Sequence, residues 1–173
     1  MIKADTAGIG NLARRLQAVA QDSPRVFAQA ASTVARASKT EAKREITAVY
    51  GLPQKRVDDG LRSYASGTDI ITTASAKGVT LQSFGGRQTK RGYSAAVLRG
   101  KRQVIRKGFT PAKFGGVPFK RVGTERLPIK VLYGPSVAAM LRNREISERF
   151  VVRQAIRARE ELTRRIFREL DKR

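Results

Sequence analysis

A long segment without a single acidic residue lies in the middle of this chain and constrains its fold more than any other feature. Between Asp69 and Glu125 there is no carboxylate, while twelve residues are basic: Lys77, Arg87, Lys90, Arg91, Arg99, Lys101, Arg102, Arg106, Lys107, Lys113, Lys120 and Arg121. Such cations cannot be neutralised by neighbours in the sequence, and unpaired charges are too costly to bury. We therefore expect a polyanion or an acidic protein surface to lie close to this segment.

The residue pattern of this segment is typical of β-structure. β-Branched residues flank Lys77-Gly78, which predicts one hairpin, and Gly100-Lys101 separates two apolar runs, which predicts a second. Residues 114–134 add one or two further strands. The stretch GGRQTKRGY between the hairpins is basic and glycine-flanked and offers nothing to bury, so we expect it to be an exposed loop.

The N-terminal part has helical spacing. A first amphipathic helix is predicted from the apolar residues Ile9, Leu12, Leu16 and Val19. Asp22-Ser23-Pro24 is expected to end it, because proline fits the first turn of a new helix and Asp or Ser is a good N-cap. A second, alanine-rich helix is predicted from about Pro24 to Tyr50, with an inner stripe of Val26, Ala30, Val34, Ala37, Ala42, Ile46 and Val49. One further short helix is expected after Pro53.

The C-terminal part is predicted to be one long helix. Its apolar positions recur mainly at multiples of four, at Ile146, Phe150, Ala158, Leu162, Ile166 and Leu170, and the stripe is widened by Val151, Ala155 and Phe167. Helices at both ends around a small, mostly antiparallel sheet make an α+β fold. We expect one domain over residues 1–173, helical over 1–65, β-rich and basic over 66–134, and helical over 135–173.

The residue types that most enzyme chemistry needs are missing. The chain has no histidine and no cysteine, which removes the usual general base at neutral pH and the commonest metal ligands. The stretch GIGNLA at residues 8–13 matches a dinucleotide-binding pattern, but it lacks the buried strand before it and the acidic residue about 20 positions after it. We therefore predict no catalytic residue, no cofactor and no metal site.

Adjacent carboxylates and tyrosines do not change this prediction. Asp58-Asp59 and Glu160-Glu161 are poor metal clamps, since neighbouring residues on a helix or strand point apart, and we expect them to cap or solvate helices. A tyrosine among arginines could act as a strand-transfer nucleophile. Packing in the core or at an interface is favoured instead for Tyr50, Tyr64, Tyr93 and Tyr133.

The stretch ERLPIKVLYGPSVAAML raises the question of a phosphate-binding turn. Such turns usually offer several free backbone N–H groups through more than one glycine. Here Gly134 is the one glycine, and Pro135 removes a donor while fixing the backbone for a first helical turn. Ser136 can cap that turn. Gly134, Pro135 and Ser136 are therefore predicted to form a structural hinge between a strand and a helix.

The order of these features resembles the minor tail protein Z family, the tail-completion proteins of long-tailed bacteriophages and prophages. The resemblance covers an alanine-rich helical N-terminal part, a basic glycine-containing β middle, and RLPIKVLYGPSVAAML opening a long arginine- and glutamate-rich helix. Its most specific piece is the strand at Arg126 to Ile129 together with the proline-containing joint. The resemblance therefore leads to the hypothesis that this chain is a component of a virion.

The resemblance implies a structural protein that completes the head-proximal end of a tail, in the neck around the DNA passage. It would be made in the cytoplasm of the host bacterium. Implied partners are other copies of the chain, commonly in a six-fold ring, and tail terminator, tail tube or head-connector proteins. Phage DNA would be contacted without base readout. No membrane partner is implied. Residues expected to touch DNA or a partner are Arg87, Lys90, Arg91, Arg99, Lys101, Arg102, Arg106 and Lys107.

Two other classes of protein remain open at this point. A free, sequence-independent nucleic-acid-binding protein would explain the net charge of +22 as directly. Against it, the chain lacks a recognisable reading helix, an RNA-binding aromatic motif or a zinc knuckle. An adaptor that binds only acidic protein surfaces is the third class, and the sequence does not separate it from the other two.

Overall fold

The structure is a computed structural model that describes the backbone of residues 6–172, and within residues 6–22 it describes the side chains of Gln17 and Gln21 alone. It confirms the α+β fold, with an N-terminal helix, small antiparallel sheets in the middle and a long C-terminal helix. The helices are α1 (Thr6–Val49), α2 (Gln54–Asp59), α3 (Val137–Leu141) and α4 (Arg144–Asp171). The strands are β1 (Leu61–Ser66), β2 (Asp69–Ala74), β3 (Gly78–Thr80), β4 (Arg87–Thr89), β5 (Gly92–Leu98), β6 (Lys101–Arg106), β7 (Gly108–Phe109), β8 (Phe119–Arg121), β9 (Ile129–Val131) and β10 (Tyr133–Ser136).

The chain divides into two compact units. The first comprises Met1–Ser38, Ser63–Ile71 and Val151–Arg173, and the second comprises Lys39–Arg62 and Thr72–Phe150. Strands β3 to β10 all belong to the second unit. That unit therefore contains the acid-free basic segment almost entirely.

Helix α1 runs through Pro24 without interruption, so the predicted break at Asp22-Ser23-Pro24 is wrong. A proline inside a helix removes one backbone donor and costs about 3 kcal/mol. Strong helix formers, above all alanine, lie on both sides, and one long helix avoids the cost of nucleating a second.

The predicted inner stripe of α1 is confirmed where its side chains are described. Val26, Ala30, Val34, Ala42 and Ile46 are buried, and Ala37 and Val49 are partly buried. The side chains of Ile9, Leu12, Leu16 and Val19 lie outside the described residues. Spacing by three and four therefore identified the packing face correctly from Val26 onward.

The first unit joins α1 to α4 through polar contacts as well as small apolar residues. Arg165 donates to Gln29 Oε1 at 2.9 Å and to Thr33 Oγ1 at 2.8 Å, and the Ser38 hydroxyl donates to Gln154 Oε1. Leu162 and Ala158 line a small apolar cavity with the alanines of α1. The predicted widening of the α4 stripe is wrong, because three of its positions are exposed: Val151, Ala155 and Phe167.

The second unit has one apolar core. Its buried members are Ala42, Ile46, Tyr50, Leu52, Val57, Leu61, Leu81, Phe84, Tyr93, Ala95, Val137, Met140 and Ile146. Helices α1, α2, α3 and the start of α4 all contribute, together with β1, β5 and the 3-10 turn at Leu81–Phe84. The last turns of α1 thus serve as the support on which the basic sheet is built.

The strands differ from the prediction both in how they pair and in where they begin. The strands pair as β1-β2, β10-β3, β4-β5-β6 and β7-β8-β9. The hairpin predicted around Lys77-Gly78 is wrong, because β3 pairs antiparallel with the distant β10, with Tyr133 opposite Thr80. Strand β1 begins at Leu61, inside the part predicted to be helical. The hairpin at Gly100-Lys101 is confirmed as β5-β6.

The predicted joint after β9 is a strand that leads directly into a helix. Strand β10 extends to Ser136, two residues beyond the expected end of the β-rich part, and contains Gly134 and Pro135. The Ser136 hydroxyl accepts a hydrogen bond of 3.1 Å from Ala139 N, so the predicted cap is confirmed. The long helix does not begin there, because α3 ends at Leu141. Asn143 caps the start of α4 by accepting from Glu145 N at 3.1 Å.

Candidate nucleic-acid interface

The eight basic residues predicted to touch DNA or a partner all lie on or beside the β4-β5-β6 sheet. Arg87, Lys90 and Arg91 belong to the β4-β5 hairpin, and Arg99 and Lys101 flank the turn from β5 to β6. Arg102 and Arg106 lie on β6, and Lys107 follows it. All eight are exposed. The structure thus brings these residues together in one small sheet of the second unit.

Three of these arginines share one face of the sheet. Arg87 lies opposite Ser94, which lies opposite Val104, so these residues point to the same side. Arg102 and Arg106 flank Val104 at a spacing of two, which places them on that side as well. We refer to Arg87, Arg102 and Arg106 as the arginine face.

The opposite face of the sheet packs on the core. Tyr93 is 1% exposed and lies opposite Gln88 on β4 and Ile105 on β6. Burial raises the pKa of the Tyr93 phenol above its ordinary value. Because strand residues alternate between faces, fixing Tyr93 in the core fixes the arginine face outward.

Arg102 is held in place by the backbone beneath it. Its Nη1 donates to the Gly85 carbonyl at 3.1 Å, and it lies 3.4 Å from both the carbonyl and the hydroxyl oxygen of Ser94. Ser94 is 2% exposed although its face points outward. The guanidinium of Arg102 therefore covers the middle of the sheet.

The stretch GGRQTKRGY is a hairpin, so the prediction of a loop with nothing to bury is wrong. Arg87, Gln88 and Thr89 pair with Ser94, Tyr93 and Gly92, and Lys90-Arg91 form the turn between them. The Thr89 hydroxyl donates to the Gly92 carbonyl at 2.7 Å. Tyr93 anchors the hairpin, because its burial offsets the conformational entropy that its polar neighbours lose when they become ordered.

Gln88 connects the hairpin to the turn after β6, which the sequence did not predict. Its Nε2 donates to the carbonyl oxygens of Thr89 at 3.1 Å, Gly92 at 3.3 Å and Gly108 at 3.2 Å. The side-chain Oε1 accepts from Thr110 Oγ1 at 3.4 Å. A glutamine inside a basic stretch carries no sequence signal for such a role.

The end of the sheet at the β5-β6 turn is joined to the C-terminal end of α1 by backbone hydrogen bonds. Arg99 N donates to the Val49 carbonyl at 2.8 Å, and Gly51 N donates to the Val97 carbonyl at 2.9 Å. The turn that carries Arg99 and Lys101 is therefore fixed by backbone contacts. Its side chains remain exposed.

The electrostatic character of this surface is one-sided. Within the part of the chain that the structure describes, seven of the eight side chains form no ion pair or hydrogen bond, and Arg102 bonds neutral groups. Charges of like sign that are close and uncompensated create a strong positive potential, which draws anions and is weakened by salt. The arrangement is suited to binding phosphates.

Two of the four carboxylates weighed as metal ligands, Asp58 and Glu161, form ion pairs with basic side chains. Asp58 accepts from Lys39 and Lys43 at 2.8 and 3.2 Å, and these ammonium groups lower its pKa. Glu161 is buried, so the expectation that it solvates a helix is wrong. Burial alone would raise the pKa of Glu161, but hydrogen bonds from Arg165 and Arg164 outweigh it and lower the pKa. Among the described residues, no group of three or more histidine, cysteine or acidic residues could hold a metal ion.

The tyrosines divide between the core and the surface. Tyr50 and Tyr93 are in the core of the second unit, which confirms packing for these two. Tyr64 and Tyr133 are about half exposed. A nucleophile among arginines would have to be accessible, so the burial of Tyr93 between Gln88 and Ile105 removes the tyrosine closest to the basic residues from that role.

Comparison of the chain with protein-family models, with curated proteins and with solved structures finds no match. In the described part of the chain, no helix is long and apolar enough to cross a membrane.

Proposed function

We propose that the protein is a structural virion component that completes the head-proximal end of a phage tail and contacts DNA phosphates through its basic sheet. The observation that carries the phosphate-binding part is the arginine face, held outward by the burial of Tyr93. Guanidinium groups bind phosphate oxygens in a bidentate manner, and contacts of this kind carry no sequence information.

The assignment to a phage tail is supported by the resemblance of the sequence to tail-completion proteins. A neck protein around a DNA passage has to face nucleic acid without reading bases, and a short sheet with arginines on one face is suited to that task. As a subunit of a ring, the protein would bind further copies of itself in a six-fold arrangement, and it would bind tail terminator, tail tube or head-connector proteins.

The DNA contact is tested by the salt dependence of binding to duplex DNA of unrelated sequences. The double variant Arg87→Gln, Arg106→Gln should have a log–log slope flatter by about 1.8, since each phosphate contact contributes about 0.9. Lys55→Gln, Arg56→Gln removes the same charge at exposed positions on α2, outside the β-strands, and is the matched control. Equal slopes for both variants would show that net charge alone matters and that the arginine face has no special role.

The virion assignment needs a separate experiment. Purified particles of a phage that encodes this chain should contain it, and class averages by electron microscopy should place it at the head-proximal end of the tail. If the chain binds DNA but is absent from particles, it is a free nucleic-acid-binding protein. If it is present in particles but binds no DNA, its basic sheet faces acidic protein surfaces.

A further inference from the structure

A basic cleft lies at the end of the sheet where the β4-β5 hairpin meets the turn after β6. It has a volume of about 510 Å³ and also involves the end of β8. Its lining includes four cations, which are Lys90, Arg91, Lys107 and Arg121. A cleft of this volume is within the range of small-ligand sites, which is roughly 300–1,000 Å³. It is larger than a single ion would need.

Among the described residues, no carboxylate lines this cleft, and none forms an ion pair with its cations. Within the described residues, Lys90, Arg91 and Lys107 make no side-chain contact with a hydrogen-bond or ion-pair partner. Arg121 has an aromatic neighbour but no acidic one. Gathering four like charges around one concave surface is unfavourable unless an anion offsets their repulsion.

Lys107 adds a strained backbone to this charge. Its φ is +60°, and it is the one non-glycine residue with positive φ in the described part of the chain. Glycine or asparagine adopts this conformation more readily than lysine. Strain of this kind tends to persist at functional sites, so a lysine at this position points to a need for its ammonium group.

The walls of the cleft are fixed before any ligand binds. Gln88 joins the two turns by donating to the carbonyl oxygens of Gly92 and Gly108. The guanidinium carbon of Arg121 lies 5.6 Å from the centroid of the Phe109 ring, which restricts the arginine to one side of the cleft. The backbone that carries the cations is therefore preorganised, which favours affinity.

We propose that this cleft binds a ligand with two or more phosphate groups, and that in the assembled protein these are successive phosphates of a nucleic-acid strand. The phosphate site stands on the cleft itself, and the choice of nucleic acid rests on the proposed function. The site differs from the arginine face, which points outward from β4 and β6, because its cations come from two turns and the end of β8 and line one cavity.

Tripolyphosphate is the probe, titrated into the full chain at low salt by calorimetry. The variant Lys107→Asn, Arg121→Gln should bind it more weakly by a factor on the order of ten or more, since a hydrogen bond to a charged group is worth at least that factor. Arg99→Gln, Lys101→Gln removes the same charge from the opposite end of the sheet and should keep the wild-type affinity. Equal losses in the two variants, or no binding by the wild type, would overturn the site.

The single variant Lys107→Asn guards against misfolding, because asparagine tolerates the left-handed backbone and leaves the contact between Arg121 and Phe109 intact. It should melt no lower than the wild type and still bind tripolyphosphate more weakly. Unchanged binding by this folded variant would overturn the role of Lys107.

A competition experiment identifies the source of the phosphates. Tripolyphosphate should displace a labelled single-stranded oligonucleotide from the wild type but not from Lys107→Asn. This result would support a nucleic-acid strand as the ligand of the cleft. Simultaneous binding of both supports the site but overturns that assignment in favour of a free oligophosphate. The arginine-face variant Arg87→Gln, Arg106→Gln leaves the cleft intact, so the proposed function and the cleft can fail independently.

Discussion

Lys39 Nζ lies 2.8 Å from Asp58 Oδ2, and this ion pair connects the end of α1 to the short helix α2. Lys43 contacts the other carboxylate oxygen at 3.2 Å, so both oxygens of Asp58 have a cationic donor. The hydrogen bonds from Lys39 and then Lys43 lower the pKa of Asp58. A partly exposed aspartate therefore contributes a pH-dependent ion pair to the second unit.

The stability of the protein should fall in acid partly through Asp58. A folded-state pKa below the unfolded value of about 3.9 stabilises the fold above that value, and the stabilisation is lost as the pH falls through the folded pKa. Urea unfolding at pH 7 and pH 3 should show a smaller pH dependence for Asp58→Asn than for the wild type. Asp59→Asn, its neighbour on α2, is the control. Identical pH dependence in Asp58→Asn and the wild type would contradict this account.

The helical face of α1 could be predicted from sequence because it depends on local spacing. Burial of Ala42 and Ile46 follows from their distance along one helix. The pairing of β3 with β10 depends on contacts between residues far apart in the chain. Gly78 lies opposite Ser136 in that pair, and no local pattern near Lys77 encodes it. The sequence therefore predicted individual helices and strands better than the pairing between strands.

The candidate site shows the same division. The acid-free run of cations could be located from the sequence alone. Which of them share a face depends on strand register, and the register is set by the burial of Tyr93. Gln88 and Phe109 were missed because their roles arise where β4, β7 and β8 come together in the fold. Composition located the basic surface, and tertiary packing divided it into a face and a cleft.

Gly134 should be intolerant of a side chain. A Cβ at this position would lie 2.7 Å from Phe84 Cε2 and 3.3 Å from Leu81 Cδ2, both buried in the core. Overpacking of this kind costs typically about 1–3 kcal/mol, so Gly134→Ala should lower the free energy of unfolding by that amount. A Cβ at Gly123 would meet nothing within 4 Å, which makes Gly123→Ala the control. Urea unfolding that finds both variants equally stable would refute the close approach.

Ser136 should contribute to stability as a helix cap. Its hydroxyl accepts from Ala139 N at 3.1 Å, and replacing such a cap by alanine costs on the order of 1 kcal/mol. Ser136→Ala should therefore lower the free energy of unfolding measured in urea, whereas Ser66→Ala at an exposed strand end should change it little. A loss in Ser66→Ala as large as that in Ser136→Ala would argue against capping.

Gln154 is a site where a substitution should stabilise the first unit. Its buried Nε2 has no hydrogen-bond partner among the described residues, and an unpaired buried donor costs about 1–3 kcal/mol. Gln154→Met keeps a similar volume without that donor, and Ser38 retains its bond of 2.9 Å to the Val34 carbonyl. Thermal unfolding should occur at a higher temperature in Gln154→Met than in the wild type. Gln21→Met, at an exposed helical position, controls for helix propensity. An equal rise in its unfolding temperature would show that the unpaired Nε2 of Gln154 is not the cause.

Substitutions of Arg102 and Arg106 should separate the contribution of the arginine face to stability from its contribution to DNA binding. Arg102 donates to the Gly85 carbonyl at 3.1 Å and covers Ser94, whereas Arg106 has no side-chain partner among the described residues. Arg102→Gln should therefore lower the free energy of unfolding by about 1 kcal/mol, the net worth of one hydrogen bond, and Arg106→Gln should leave it unchanged. Both variants should flatten the log–log salt slope of duplex DNA binding by about 0.9. Parallel measurements of urea unfolding and DNA binding check this pairing. An Arg106→Gln variant with the wild-type slope would show that the face does not contact phosphate at that residue.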